Sequence, residues 1–138
     1  MSQKIIRAIY EARLATWAAA RVPALTASYE NTPADPAEGA THLRASLLPA
    51  DTDSQDLAGA HRVFRGVFQV SVYAPINTGP GAAAGIADEL AALFVLNARL
   101  TSGAITVQQV TPASIAPALQ VENHYVLPVS FGYRADTI

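Results

Sequence analysis

Residues 62–73 read RVFRGVFQVSVY, and the fold turns on them. Phe64, Gly66, Phe68, Val70 and Val72 fall on one face of an extended chain; Val63, Arg65, Val67, Gln69, Ser71 and Tyr73 fall on the other. That alternation, in a run rich in valine and phenylalanine, is the period-two signature of a β-strand. The first face is apolar and the second is mixed rather than fully polar. The strand runs into APINTGPG, a turn built from Pro75, Asn77, Gly79, Pro80 and Gly81.

Working upstream, residues 41–48 (THLRASLL) alternate too, with Thr41, Leu43, Ala45 and Leu47 on the apolar side and His42, Arg44 and Ser46 on the other. Before them, ENTPADPAEGA is a loop and residues 24–29 (ALTASY) a short possible strand. Residues 2–20 form an amphipathic helix. At about 100° per residue, Ile5, Ile6, Ile9, Tyr10, Ala12 and Trp17 share one arc and Lys4, Arg7 and Glu11 lie opposite. Ser2 suits the N-cap, and Pro23 marks the stop. Residues 49–60 (PADTDSQDLAGA) lack periodicity and form a long polar loop.

Downstream, residues 82–98 form a second helix with a core stripe of Ala83, Ile86, Ala87, Leu90, Leu93 and Phe94. Val95 and Leu96 lie off that stripe, so this part of the helix is buried on a further side or meets a partner. Arg99 sits near the helix end, where a cation favours the dipole. Residues 104–110 are a strand, TPASIAPAL is ambiguous because of Pro112 and Pro117, and residues 123–134 are a strand. In that last strand Tyr125, Leu127, Val129, Phe131 and Tyr133 alternate inward, and Pro128 predicts an edge or a bulge. The order α-β-β-β-α-β-(β)-β describes an α+β fold, a mostly antiparallel sheet with two helices packed on one face, in one domain spanning residues 1–138.

Composition narrows the function. Of 138 residues, 51% are hydrophobic and 14% charged, well under the ~25% charge of an average soluble domain. Nine basic against eleven acidic residues argue against a general nucleic-acid binder. The absence of cysteine excludes disulfides, thiolate nucleophiles and cysteine-ligated metals. No apolar run of about 18 residues spans a membrane, and the charged N-terminal stretch is not a secretory signal. A soluble protein made inside the cell is the expectation.

No catalytic motif survives inspection. His42, His61 and His124 have no metal-ligand spacing and read as surface histidines on or beside strands. Asp51, Asp53 and Asp56 open like a calcium loop, but the sixth and twelfth positions hold Asp56 and Arg62 where glycine and glutamate are needed. Gly79, Gly81 and Gly85 lack both the dinucleotide spacing and the Lys-Ser/Thr ending of a phosphate loop. No G-x-S-x-G elbow is present, and Asp88 and Glu89 diverge on a helix. Neither enzymatic activity nor a cofactor is expected. Charge placement is more telling: Glu30, Asp35, Glu38, Asp51, Asp53 and Asp56 cluster in two loops, with Arg44, Arg62 and Arg65 on nearby strands. These groups suit pairing within one subunit or head-to-tail between subunits.

The run Gly66–Pro75 (GVFQVSVYAP), the NTGPG turn, the ADEL of the second helix (Ala87–Leu90) and the closing HYVLPVSFGYR (His124–Arg134) resemble the bacteriophage tail terminator proteins, of the minor tail protein U type. The likeness covers element order from Gln3 to Arg134. It implies a structural protein of phage or prophage, assembled as a ring, usually a hexamer, on the end of the growing tail tube. Such a ring ends tube polymerisation and offers the head-joining surface. The implied partners are further copies of the chain, the tail tube protein and a head-completion or neck protein, without direct nucleic-acid readout and without a membrane. The implied location is the virion tail, and the host cytoplasm during assembly. Within this frame Val63, Arg65, Val67, Val95 and Leu96 become candidate subunit contacts. Asp51, Asp53 and Asp56 become a candidate contact for tube or neck. The rival readings are another head–tail neck component and a small ligand-binding domain.

Overall fold

In a computed structural model the chain is described at residues 3–21, 25–29, 41–50, 52, 54, 62–75, 79, 81–103, 105–121 and 124–137. The elements are α1 (Gln3–Ala20), β1 (Thr26–Ser28), β2 (His42–Pro49), β3 (Arg62–Pro75), α2 (Gly81–Leu93), β4 (Arg99–Ser102), β5 (Ile105–Gln109), β6 (Ser114–Ile115), β7 (Leu119–Val121) and β8 (His124–Thr137). One eight-stranded sheet runs β1-β2-β3-β8-β5-β4, and β6 and β7 also pair with β8. The expected α+β class holds. The pairing is antiparallel throughout except that β1 lies parallel to β2. Ser2, Pro23 and most of the two acidic loops lie outside the described residues.

The alternation in residues 62–73 sets the core. Phe68, Val70, Val72 and Ala74 are buried, and their cross-strand partners Phe131, Val129, Leu127 and Tyr125 face the same side. Leu43, Ala45 and Leu47 extend this face onto β2, and Ile105 and Val107 onto β5. Both helices cover it. From α1 come Ile6, Tyr10, Leu14 and Ala18; from α2 come Ala83, Ile86, Ala87 and Leu90. The predicted α1 arc is thus rotated: Leu14 and Ala18 are central, Ile5, Ile9 and Trp17 are at its margin, and Ala12 is exposed. Tyr10 centres an aromatic cluster, stacked on Phe68 at 5.3 Å and edge-on to Phe131 at 5.0 Å. Such pairs contribute roughly 0.5–1.5 kcal/mol each beyond area burial.

Three expectations are corrected. The second helix ends at Leu93, so Val95 and Leu96 occupy a turn rather than an off-stripe helical face. Asn97 adopts φ 67°, and Gln109 holds the turn by donating from Nε2 to the carbonyls of Phe94 and Thr111, both at 3.0 Å. Arg99 accordingly begins β4 instead of closing the helix. The cation at the helix end is Arg13 of α1, whose guanidinium donates to the Leu93 carbonyl at 3.1 and 3.3 Å. The third correction concerns Pro128. It lies on β8, between β3 and β5, and not on an edge strand. Its carbonyl accepts from Ala116 N at 2.9 Å, in the gap between the ladders of β6 and β7. A residue's N–H and C=O point to the same side of a strand, so the missing donor faces that interruption.

Candidate functional site

The sheet has one covered face and one face turned away from the helices. Register assigns to the second face His42, Arg44, Ser46 and Leu48 of β2, the odd-numbered residues 63–73 of β3 and the even-numbered residues of β8. Among the candidate contacts, Arg65 and Val67 lie here, both half-buried. Val67 stands opposite Leu48, which is 51% exposed. Val63 shares the face but is fully buried, which leaves it no surface for a partner. Val95 and Leu96 lie apart from these, in the α2–β4 turn, and are 52% and 42% exposed. The structure therefore brings the expected contacts together as two separate sets. Asp51, Asp53 and Asp56 fall outside the described residues.

Sequence reading missed further exposed apolar side chains on the part of the sheet beyond β8. Val110 follows β5, Ile115 lies on β6 and Leu119 on β7. The available signal was the apolar, proline-interrupted run after residue 110, too short and irregular to assign to a face.

At one end of the outward face, His42 stacks on Tyr73 at 5.0 Å and meets His124 edge-on at 5.5 Å, and the Arg44 guanidinium lies 5.4 Å from the Tyr73 ring centre. His42 is buried, not solvated as its sequence position suggested, because the Tyr73 and His124 rings flank it. His61 is outside the described residues. Among the described residues no group of three or more histidine, aspartate or glutamate side chains is placed to hold a metal ion.

Two of the hollows in the described surface bear on these residues. A groove of about 700 Å³ runs between α1 and β4, with Ile9, Trp17, Leu93 and Leu100 on its walls. Its charged lining residue is Arg13, already donating to Leu93. A smaller hollow of about 470 Å³ lies on the outward face of β4, β5 and β8, bounded by Arg99, Thr106, Gln108, Val110, Arg134 and Asp136. Here Arg134 binds Asp136 through Nε at 2.7 Å and Nη2 at 2.9 Å, a forked contact that raises the guanidinium above its usual range. A second forked pair, Arg21 with Glu89 at 2.9–3.2 Å, ties the end of α1 to α2 and lowers the Glu89 carboxyl below its usual value. Ion pairing, stacking and apolar contact are what these surfaces offer. Among the described helices none is long and apolar enough to cross a membrane.

The family model described as phage tail terminator protein matches residues 5–133. A solved structure is 44% identical over 98% of this chain and 96% of its own, with a TM-score of 0.84. None of the curated proteins matches the chain.

Proposed function

The chain belongs to the phage tail terminator family, and from that premise we propose that its copies close into a ring, a hexamer, that caps the tail tube, ends its growth and presents the surface to which the head joins. A structural role in phage tail assembly, in the virion tail, comes with the family; the ring, the capping and the joining are our reading. One observation carries it. Val110 and Leu119, 44% and 55% exposed, lie on the outward face beyond β8 in the sheet, and Val95 and Leu96, 52% and 42% exposed, lie in the α2–β4 turn, whereas Leu48 and Val67 lie on the outward face of β2 and β3, on the other side of β8. Unlike apolar side chains on the two halves suit a heterologous contact, in which each subunit offers a different side to each neighbour and closure fixes the number of copies.

Function on this reading is steric. The closed ring docks on the last tube layer through many weak contacts, and multivalency makes release slow. Asp51, Asp53 and Asp56 are our candidates for contact with tube or neck, and Arg65, Val67, Val95 and Leu96 for contact between subunits. Light scattering and electron microscopy of the purified chain, alone and with its tube protein, test the proposal. Rings that cap tubes support it. A strict monomer that ignores tubes overturns it, and binding to a head-completion protein but not to tubes would move the chain to another position in the neck.

A further inference from the structure

The strand register places three arginines in one line. Arg65 of β3 stands opposite Arg134 of β8, Arg134 opposite Gln108 of β5, and Gln108 opposite Arg99 of β4. All four side chains emerge on the outward face, across three inter-strand spacings of roughly 14 Å in total. Like charges directly opposite one another in a sheet are destabilising. Asp136 offsets part of that charge by its fork to Arg134. At the Arg99 end the row opens into the 470 Å³ hollow, where the Arg99 guanidinium and the Gln108 amide supply donors and exposed Val110 an apolar wall, while the Arg134 fork is filled by Asp136, which also lines the hollow, and the Thr106 hydroxyl pairs with Thr101 at 2.8 Å. Gln108 also makes a long contact to Asn97 Oδ1 at 3.4 Å.

We infer that this hollow seats a carboxylate side chain of a second copy of the chain, and so forms the polar half of a head-to-tail contact; the inference rests on the ring reading. The fork of Arg134 being held by Asp136, it is the planar Arg99 guanidinium that recognises carboxylate here, and a charged seat beside an exposed valine has the mixed character of a subunit interface. Charge complementarity selects the occupant. The chain carries eleven acidic residues, six of them in residues 30–56, against nine basic ones. A basic seat on such a chain is complementary to the chain itself. A long polyanion would meet a short row of three arginines on a molecule of net charge −2.

The test uses full-length Arg99→Glu. Arg99 is exposed on an edge strand, and the substitution leaves the Arg134–Asp136 fork in place. At a concentration where the wild type is fully assembled, the ring fraction measured by analytical ultracentrifugation falls at least about tenfold. Arg99→Lys recovers part of it. Lys4→Glu, the same charge change on the exposed side of α1, keeps the rings. Thermal melting of each monomer verifies that the fold is intact. If Arg99→Glu and Arg99→Glu/Arg134→Gln assemble like the wild type, or Lys4→Glu disrupts equally, the seat is refuted while the ring stands. A wild type that never forms rings refutes both. Binding of a DNA duplex that Arg99→Glu abolishes, with assembly unchanged, also refutes it and makes the hollow a nucleic-acid contact.

Discussion

Gly66 sits where β3 passes under Tyr133. A Cβ at this position would meet the Tyr133 hydroxyl and the Leu48 carbonyl, and would stand 2.8 Å from Tyr133 Cζ. The tyrosine is held there by its hydroxyl, which donates to Gln3 Oε1 at 2.6 Å. Gly66→Ala is therefore expected to destabilise by about 1–3 kcal/mol through overpacking, read from urea unfolding. Tyr10 presents the opposite case: its ring is packed in the core, but its hydroxyl is buried without a hydrogen-bond partner among the described residues. Tyr10→Phe keeps the ring contacts and removes the unsatisfied group, so it should leave stability equal or higher in the same assay. The two tyrosines also contribute to the alkaline limit. Burial pushes the Tyr133 hydroxyl up to about 12 and Tyr10 upward as well. The folded chain then keeps protons that the unfolded chain begins to lose near pH 10, so stability is full below about 10 and falls above it, the Tyr133 part between about 10 and 12 and the Tyr10 part continuing beyond. In Tyr10→Phe that fall is shallower, which a pH series of denaturation curves measures.

At the scale of elements, the join between α2 and β4 is the informative one. Apolar periodicity predicts α2 running to residue 98, because Phe94, Val95 and Leu96 are as compatible with helix as with a turn. The helix ends earlier because a distant residue satisfies its end. Gln109, 1% exposed and read as an ordinary strand position, donates to the Phe94 carbonyl across the turn. A single sequence does not announce that partner. Gln109→Leu would strip the Phe94 and Thr111 carbonyls of their donor, at a cost of about 1–3 kcal/mol. Hydrogen exchange should rise first at Asn97, whose N–H donates to the Gln109 carbonyl at 2.9 Å. β4 escaped notice for the same reason. Its four residues alternate too briefly to stand out, and they are strand because β5 lies beside them.

For the whole molecule, the exposed valine and leucine of the α2–β4 turn separate folding from assembly. Neither belongs to the core cluster, so Val95→Ser/Leu96→Ser should change monomer stability by no more than ~0.5 kcal/mol. On the ring reading it should also shift the assembled population to monomer, which sedimentation would detect. Raised salt should act on the arginine seat and leave this apolar contact nearly untouched, since screening weakens exposed charge pairs but not burial. Tm and ring fraction measured on one sample therefore report different surfaces.

Local pattern was enough for the two helices, the long strands, the side of each strand that is apolar and the lack of any catalytic motif, because alternation and helical periodicity are written over neighbouring residues. The family was visible in the same way, through the run from Gly66 to Pro75 and the closing strand. Tertiary structure alone decided where α2 stops, that β1 runs parallel to β2, that Pro128 faces a gap in the pairing, and that Val63 and His42 are covered. It alone aligned Arg65, Arg134, Gln108 and Arg99. Each of these depends on register between segments far apart in the chain, and a strand that slips by one residue turns every side chain to the other face.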